Sequence, residues 1–101
     1  MGNDNAVKGN INNVLGDENI LVGDKNNIAG NKNTALGNEN TLEGDLNFLS
    51  GNKNTVKGDE NKINGNQNEV TGSKNTVLKD NNKVAGNINT VDGSNNSLIG
   101  N

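Results

Sequence analysis

Hydrophobic and polar positions recur along this chain with a period of seven. An aliphatic residue falls on every seventh position, from Val7, Val14, Leu21, Ile28 and Ala35 to Val91 and Leu98. Asn stands two residues before each of them without exception: Asn5, Asn12, Asn19, Asn26, Asn33, Asn40, Asn47, Asn54, Asn61, Asn68, Asn75, Asn82, Asn89 and Asn96. Three residues earlier again comes Gly, from Gly2 to Gly93, replaced only by Lys79. The next position carries Asn, Asp or Ser, as at Asn10, Asp17, Asp24 and Ser73. The unit is Gly-[Asn/Asp/Ser]-x-Asn-x-[Val/Ile/Leu]-x, repeated fourteen times over residues 1–101 with no insertion. Such fixed-period self-similarity predicts a repeat architecture and a single domain.

A period of seven invites a coiled coil, but a coiled-coil seam needs two apolar positions per heptad and only one is reliably apolar here. Glycine in every heptad would cost a helix about 1 kcal/mol each time. The unit reads instead as one short strand and one corner. Alternation along Asn-x-Val-x puts Asn and the aliphatic on one side and the x residues on the other. Gly followed by Asn or Asp supplies a corner that tolerates positive φ. Two units make a 14-residue coil, and stacked coils make two parallel sheets around a thin Val/Ile/Leu core. Inward Asn residues then stack into ladders, each amide bonding backbone groups of neighbouring corners. The predicted fold is an all-β parallel solenoid, a β-roll of about seven coils with two short strands each.

Charge placement supports the 14-residue coil. Opposite charges recur at that spacing in Glu18/Lys32, Lys25/Glu39, Glu39/Lys53, Glu43/Lys57, Glu60/Lys74 and Glu69/Lys83, against the like pairs Asp4/Glu18 and Asp45/Asp59. Composition alone would suggest disorder, with 14 Gly and only 28% hydrophobic residues, but the regular repeat points to an ordered stack.

The unit x-x-Asn-x-Val-x-Gly, carried by stretches such as Gly51-Asn-Lys-Asn-Thr-Val-Lys57 and Gly72-Ser-Lys-Asn-Thr-Val-Leu78, resembles the repeat of ryegrass-type ice-recrystallisation-inhibition proteins. It is also similar to the head repeats of trimeric autotransporter adhesins. The resemblance spans the chain and implies a left-handed β-roll, with one flat face binding ice in the first family. It rests on the inward positions, so function has to be sought at the outward ones.

One predicted face carries Ala6/Lys8, Ile20/Val22, Thr34/Leu36, Phe48/Ser50, Lys62/Asn64, Thr76/Leu78 and Thr90/Asp92. The other carries Asn13/Leu15, Asn27/Ala29, Thr41/Glu43, Thr55/Lys57, Glu69/Thr71, Lys83/Ala85 and Ser97/Ile99. The first is the more apolar, and Ile20, Val22, Thr34, Leu36, Phe48, Thr76, Leu78 and Thr90 form the candidate interaction or ice-binding face. Its Thr spacing is broken and Lys62 interrupts it.

The remaining composition removes whole classes of function. No His or Cys supplies a base or a thiolate nucleophile, the sole aromatic residue is Phe48, and the net charge is −3. Neither a basic surface nor stacking aromatics offer a hold on nucleic acid. No run approaches the roughly 18 apolar residues of a membrane span. Asp17, Asp24, Asp45, Asp59 and Asp80 share the corner slot with Asn and Ser, so they read as turn formers and not as calcium ligands. Carboxylate neighbours such as Asp59 and Glu60 sit on a solvated corner. No catalytic residue, metal or cofactor is expected. The leading expectation is a structural or adhesive module that self-associates as a dimer, trimer or end-to-end stack, through the apolar face or open ends. The alternatives are an ice-binding protein using that face and an engineered scaffold. Lys79 is expected to put a local kink in the stack.

Overall fold

The structure, a computed structural model, describes residues 2–101. Strands β1 (Ala6–Lys8), β3 (Ile20–Val22), β5 (Thr34–Leu36), β7 (Phe48–Ser50), β9 (Lys62–Asn64), β11 (Thr76–Leu78) and β13 (Thr90–Asp92) form one sheet in that order. Strands β2 (Asn13–Leu15), β4 (Asn27–Ala29), β6 (Thr41–Glu43), β8 (Thr55–Lys57), β10 (Glu69–Thr71), β12 (Lys83–Ala85) and β14 (Ser97–Ile99) form the second. Pairing is parallel throughout, with each residue opposite the one 14 further on, as in Phe48 with Lys62 and Val56 with Val70. The molecule is a flattened β-solenoid of seven coils measuring 35 × 20 × 13 Å.

Each strand is three residues long because only its central side chain points inward. Those centres, from Val14 to Val91, make one continuous core, and from Leu21 to Val77 they are fully buried. Val7 and Leu98, in the first and last strands, remain 39% and 36% exposed because each is covered from one side only.

The corners are as fully paired as the strands. Asn47 shows the pattern: its Oδ1 accepts the Asn61 backbone N–H at 2.9 Å, and its Nδ2 donates to the Gly58 carbonyl at 2.7 Å. Asn19, Asn26, Asn33, Asn40, Asn47, Asn54, Asn61, Asn68, Asn75 and Asn82 are buried in this way. Asn5, Asn12 and Asn89 are half-buried, and Asn96 is exposed in the last coil. A second column lies outside them, where the Asp45 N–H donates to the Asp59 carboxylate at 2.8 Å. That contact explains how a like-charged stack is tolerated: the carboxylate is an acceptor for the coil before it. Ser73 and Ser94 fill the same slot with poorer contacts of 3.4 and 3.3 Å, their side chains being shorter. Among the described residues no buried side-chain nitrogen or oxygen lacks a partner.

Two details depart from the sequence reading. Positive φ belongs to the glycine and to the third residue of the unit, not to the Asn/Asp between them: Ile11, Leu46 and Ile88 have φ of 58°, 60° and 58°. A β-branched residue rarely adopts that conformation. Here the residue's own backbone N–H reaches the neighbouring coil, as Ile88 N does to Ser73 O at 3.0 Å and Leu46 N to Asn31 O at 3.0 Å, and that bond offsets the local preference. The charges, in turn, stack without pairing. Glu43 lies opposite Lys57 and Glu69 opposite Lys83, yet the ion pair among the described residues is Lys79–Asp92, at 3.4 Å.

The kink expected at Lys79 is a local loosening. Lys79 has φ of 80°, and the Gly93 N to Leu78 O contact beside it stretches to 3.3 Å, against 2.8 Å for the equivalent Gly37 N to Val22 O. Lys79→Gly is therefore expected to stabilise the fold by about 1 kcal/mol. It releases about 1–2 kcal/mol of left-handed strain, less part of that for the added freedom of the unfolded chain. The exposed ion pair it removes is worth only a few tenths of a kcal/mol. Urea titration followed by circular dichroism checks the sign.

Candidate functional site

All eight residues of the candidate face lie on the odd-numbered sheet. Ile20, Thr34, Phe48, Thr76 and Thr90 share one outward column with Ala6 and Lys62. Val22, Leu36 and Leu78 share the other with Lys8, Ser50, Asn64 and Asp92. Neighbouring strands stand about 4.8 Å apart, and the two columns are two residues apart along each strand, so the face is a two-dimensional grid. Because the fully paired backbone fixes both spacings, the backbone of the face needs little ordering when a partner arrives.

The grid is not uniform. On three successive strands, with Ile20/Val22, Thr34/Leu36 and Phe48/Ser50, the outward positions carry no charge. Ile20, Val22, Leu36 and Phe48 are exposed on it, whereas Thr34, Thr76 and Leu78 are half-buried between their neighbours. Lys62 then separates this tile from Thr76, Leu78 and Thr90. The even-numbered sheet is divided differently: Glu43, Lys57, Glu69 and Lys83 occupy four successive coils. Its polar end holds Asn13 and Asn27, whose side chains hydrogen-bond to each other at 3.2 Å.

Leu46 is a neighbour of the tile that the strand pattern misses. It sits exposed on the corner leading into Phe48, and Ile88 occupies the equivalent corner before Thr90. The signal was an apolar residue in a slot that elsewhere holds Asp4, Glu18, Lys32, Glu60 and Lys74. Among the described residues no group of acidic side chains is arranged to hold a metal, and no pocket opens on the surface. What the odd-numbered sheet offers is a flat grid with a charge-free tile, flanked by Lys8, Lys62 and Asp92.

No curated protein matches the chain. The model of the family described as Grass antifreeze beta roll matches it over residues 1–101, the whole of the repeat. A flat solenoid built on the Gly and Asn lattices, together with that match, places the chain in the grass antifreeze β-roll family.

Proposed function

We propose that this protein is a non-enzymatic ice-binding protein and that the odd-numbered sheet is its ice-facing surface. Membership of an antifreeze family supports this reading over the structural or adhesive module that the apolar face and open ends suggested. The observation that carries the choice of face is the charge-free tile of three successive coils around Thr34. Charged groups hold their hydration shells strongly, and stripping them costs several kcal/mol. Apolar groups release water readily, while Thr and Ser hydroxyls can each donate and accept within an ordered water lattice. Adsorbed molecules then pin the growing surface between them, so small crystals stop feeding large ones.

Ice recrystallisation at micromolar protein tests this. Thr34→Lys is expected to abolish inhibition while leaving the circular dichroism spectrum unchanged, because the substitution places a hydrated charge in the middle of the tile. Thr55→Lys, on the opposite sheet, is expected to leave inhibition intact. Activity that survives Thr34→Lys, or that Thr55→Lys removes equally, rejects the assignment of the face. An inactive parent protein rejects ice binding.

A further inference from the structure

We infer that the odd-numbered sheet also binds a second copy of this chain, face to face and antiparallel, about a two-fold axis through Phe48 and Ser50. The only aromatic residue of the chain lies on the middle strand of the seven in that sheet, 41% exposed, with Ile20, Val22 and Leu36 exposed on the two coils before it. Partly exposed aromatics at the centre of a flat patch are the usual anchors of an interface.

The register of the sheet makes the face self-complementary about that axis. Phe48 meets Phe48 of the second copy, and Val22 meets Leu78. Lys8, in the strand β1, falls opposite Asp92, in β13, and the symmetry makes this contact twice. No like charges stand opposite each other: Lys62, the remaining charge on the face, meets Thr34 and can extend its stem toward the margin. Asp92 engages Lys79 through Oδ1 only, at the solvent-exposed edge, which leaves its second oxygen for Lys8. The molecule spans 35 by 20 Å, and the face is the part of that outline covered by its two outward columns, so the contact is smaller than the roughly 800 Å² per partner of a standard specific interface. A partly polar face of that size gives a dimer that forms only at high concentration.

As regulation of the ice face, this pairing rests on the proposed function; as an assembly, it is independent of it. Two copies packed on their odd sheets hide the tile around Thr34 from ice, so inhibition per molecule falls as the protein becomes concentrated.

Sedimentation equilibrium on the whole chain from about 10 μM to about 1 mM, the range in which weak interfaces dissociate, is the test. The parent protein is expected to pass from monomer to dimer. Phe48→Lys is expected to leave only monomer, with an unchanged circular dichroism spectrum. Lys8→Asp or Asp92→Lys alone is expected to weaken the dimer about tenfold or more, and the two together to restore it. A parent protein that stays monomeric at the top of the range overturns the inference, as does a dimer indifferent to Phe48→Lys. Failure of the double exchange to rescue overturns the antiparallel register. None of these outcomes involves ice, so an inactive parent in the recrystallisation assay leaves this result standing, and a monomeric parent leaves ice binding standing.

Discussion

Gly44→Ala is expected to cost the fold more than about 4 kcal/mol, the level that marks a specific clash and not an ordinary surface change. A Cβ on Gly44 would stand 1.9 Å from the Gly58 carbonyl oxygen and 2.7 Å from its carbon. Both are backbone atoms of the next coil and cannot give way without loosening the corner, as at Lys79, where φ falls to 80° and the adjoining Gly93 N to Leu78 O bond stretches to 3.3 Å. Gly44 also has φ of 129°, which disfavours any side chain. Relief would require the two coils to part at that corner, breaking the contacts that run through it, including Gly58 N to Glu43 O at 2.8 Å and Asn47 Nδ2 to Gly58 O at 2.7 Å. Gly100→Ala separates the two causes. Gly100 has a similar φ of 130° and nothing within 4 Å of an added Cβ. Its substitution is expected to cost about 1–2 kcal/mol at most, the conformational part alone. Thermal and urea unfolding of the two variants checks the difference, and equal losses would mean that coil spacing is not what requires glycine.

Asn47→Ala is expected to lower stability by about 3–5 kcal/mol, as two or three buried groups lose partners at about 1–3 kcal/mol each. The Asn61 N–H and the Gly58 carbonyl would each be left without the Asn47 amide, and Asn33 Oδ1 would lose its 3.2 Å contact to Asn47 Nδ2. Water cannot replace these partners easily, because Asn33, Asn47 and Asn61 are all at most 2% exposed. Thr55→Ala, outward on the even sheet, is expected to cost under about 1 kcal/mol. The comparison reads directly on the ladder: equal melting shifts for Asn47→Ala and Thr55→Ala would contradict its stabilising role. In a solenoid each coil touches only its neighbours, so Asn96→Ala, in the last coil, is expected to cost far less than Asn47→Ala. The Asn96 side chain is exposed, unlike that of Asn47.

Much of the candidate site is legible in the residues alone. The same two-residue alternation that sends Val77 inward sends Thr76 and Leu78 outward, and the stacking of coils then collects Ile20, Thr34 and Phe48 into one column. What the alternation could not rank was use. The Gly lattice, broken only at Lys79, and the invariant Asn positions hold the coils together, and they say nothing about what the outward faces meet. The outward residues vary from coil to coil, so their chemistry alone left both readings open, and the family match decided which to carry forward. Leu46 is not legible in the same way because it lies on a corner, where strand alternation says nothing about direction.

Taken by itself, the sequence determined the solenoid, the two strands per coil, the inward Asn and aliphatic columns, and the membership of each face. The inward columns follow from a period of seven and an alternation of two, properties of the chain read locally, whereas two strands per coil, and with it the membership of each face, leaned on charges recurring at a spacing of 14. Tertiary structure alone decided the backbone at the corners. Leu46 and Ile88 adopt left-handed conformations that their side chains oppose, while their N–H groups reach Asn31 O and Ser73 O one coil away. It also decided that Glu43 and Lys57 stack without an ion pair while Lys79, the residue that breaks the glycine lattice, reaches Asp92. Register puts side chains on neighbouring strands, but the contact between their charged ends depends on the space and rotamers around them. The Asn ladders could be read from the repeat, but the backbone bonds at the corners and the room left between side chains exist only once the coils are stacked, and no local pattern in the residues encodes them.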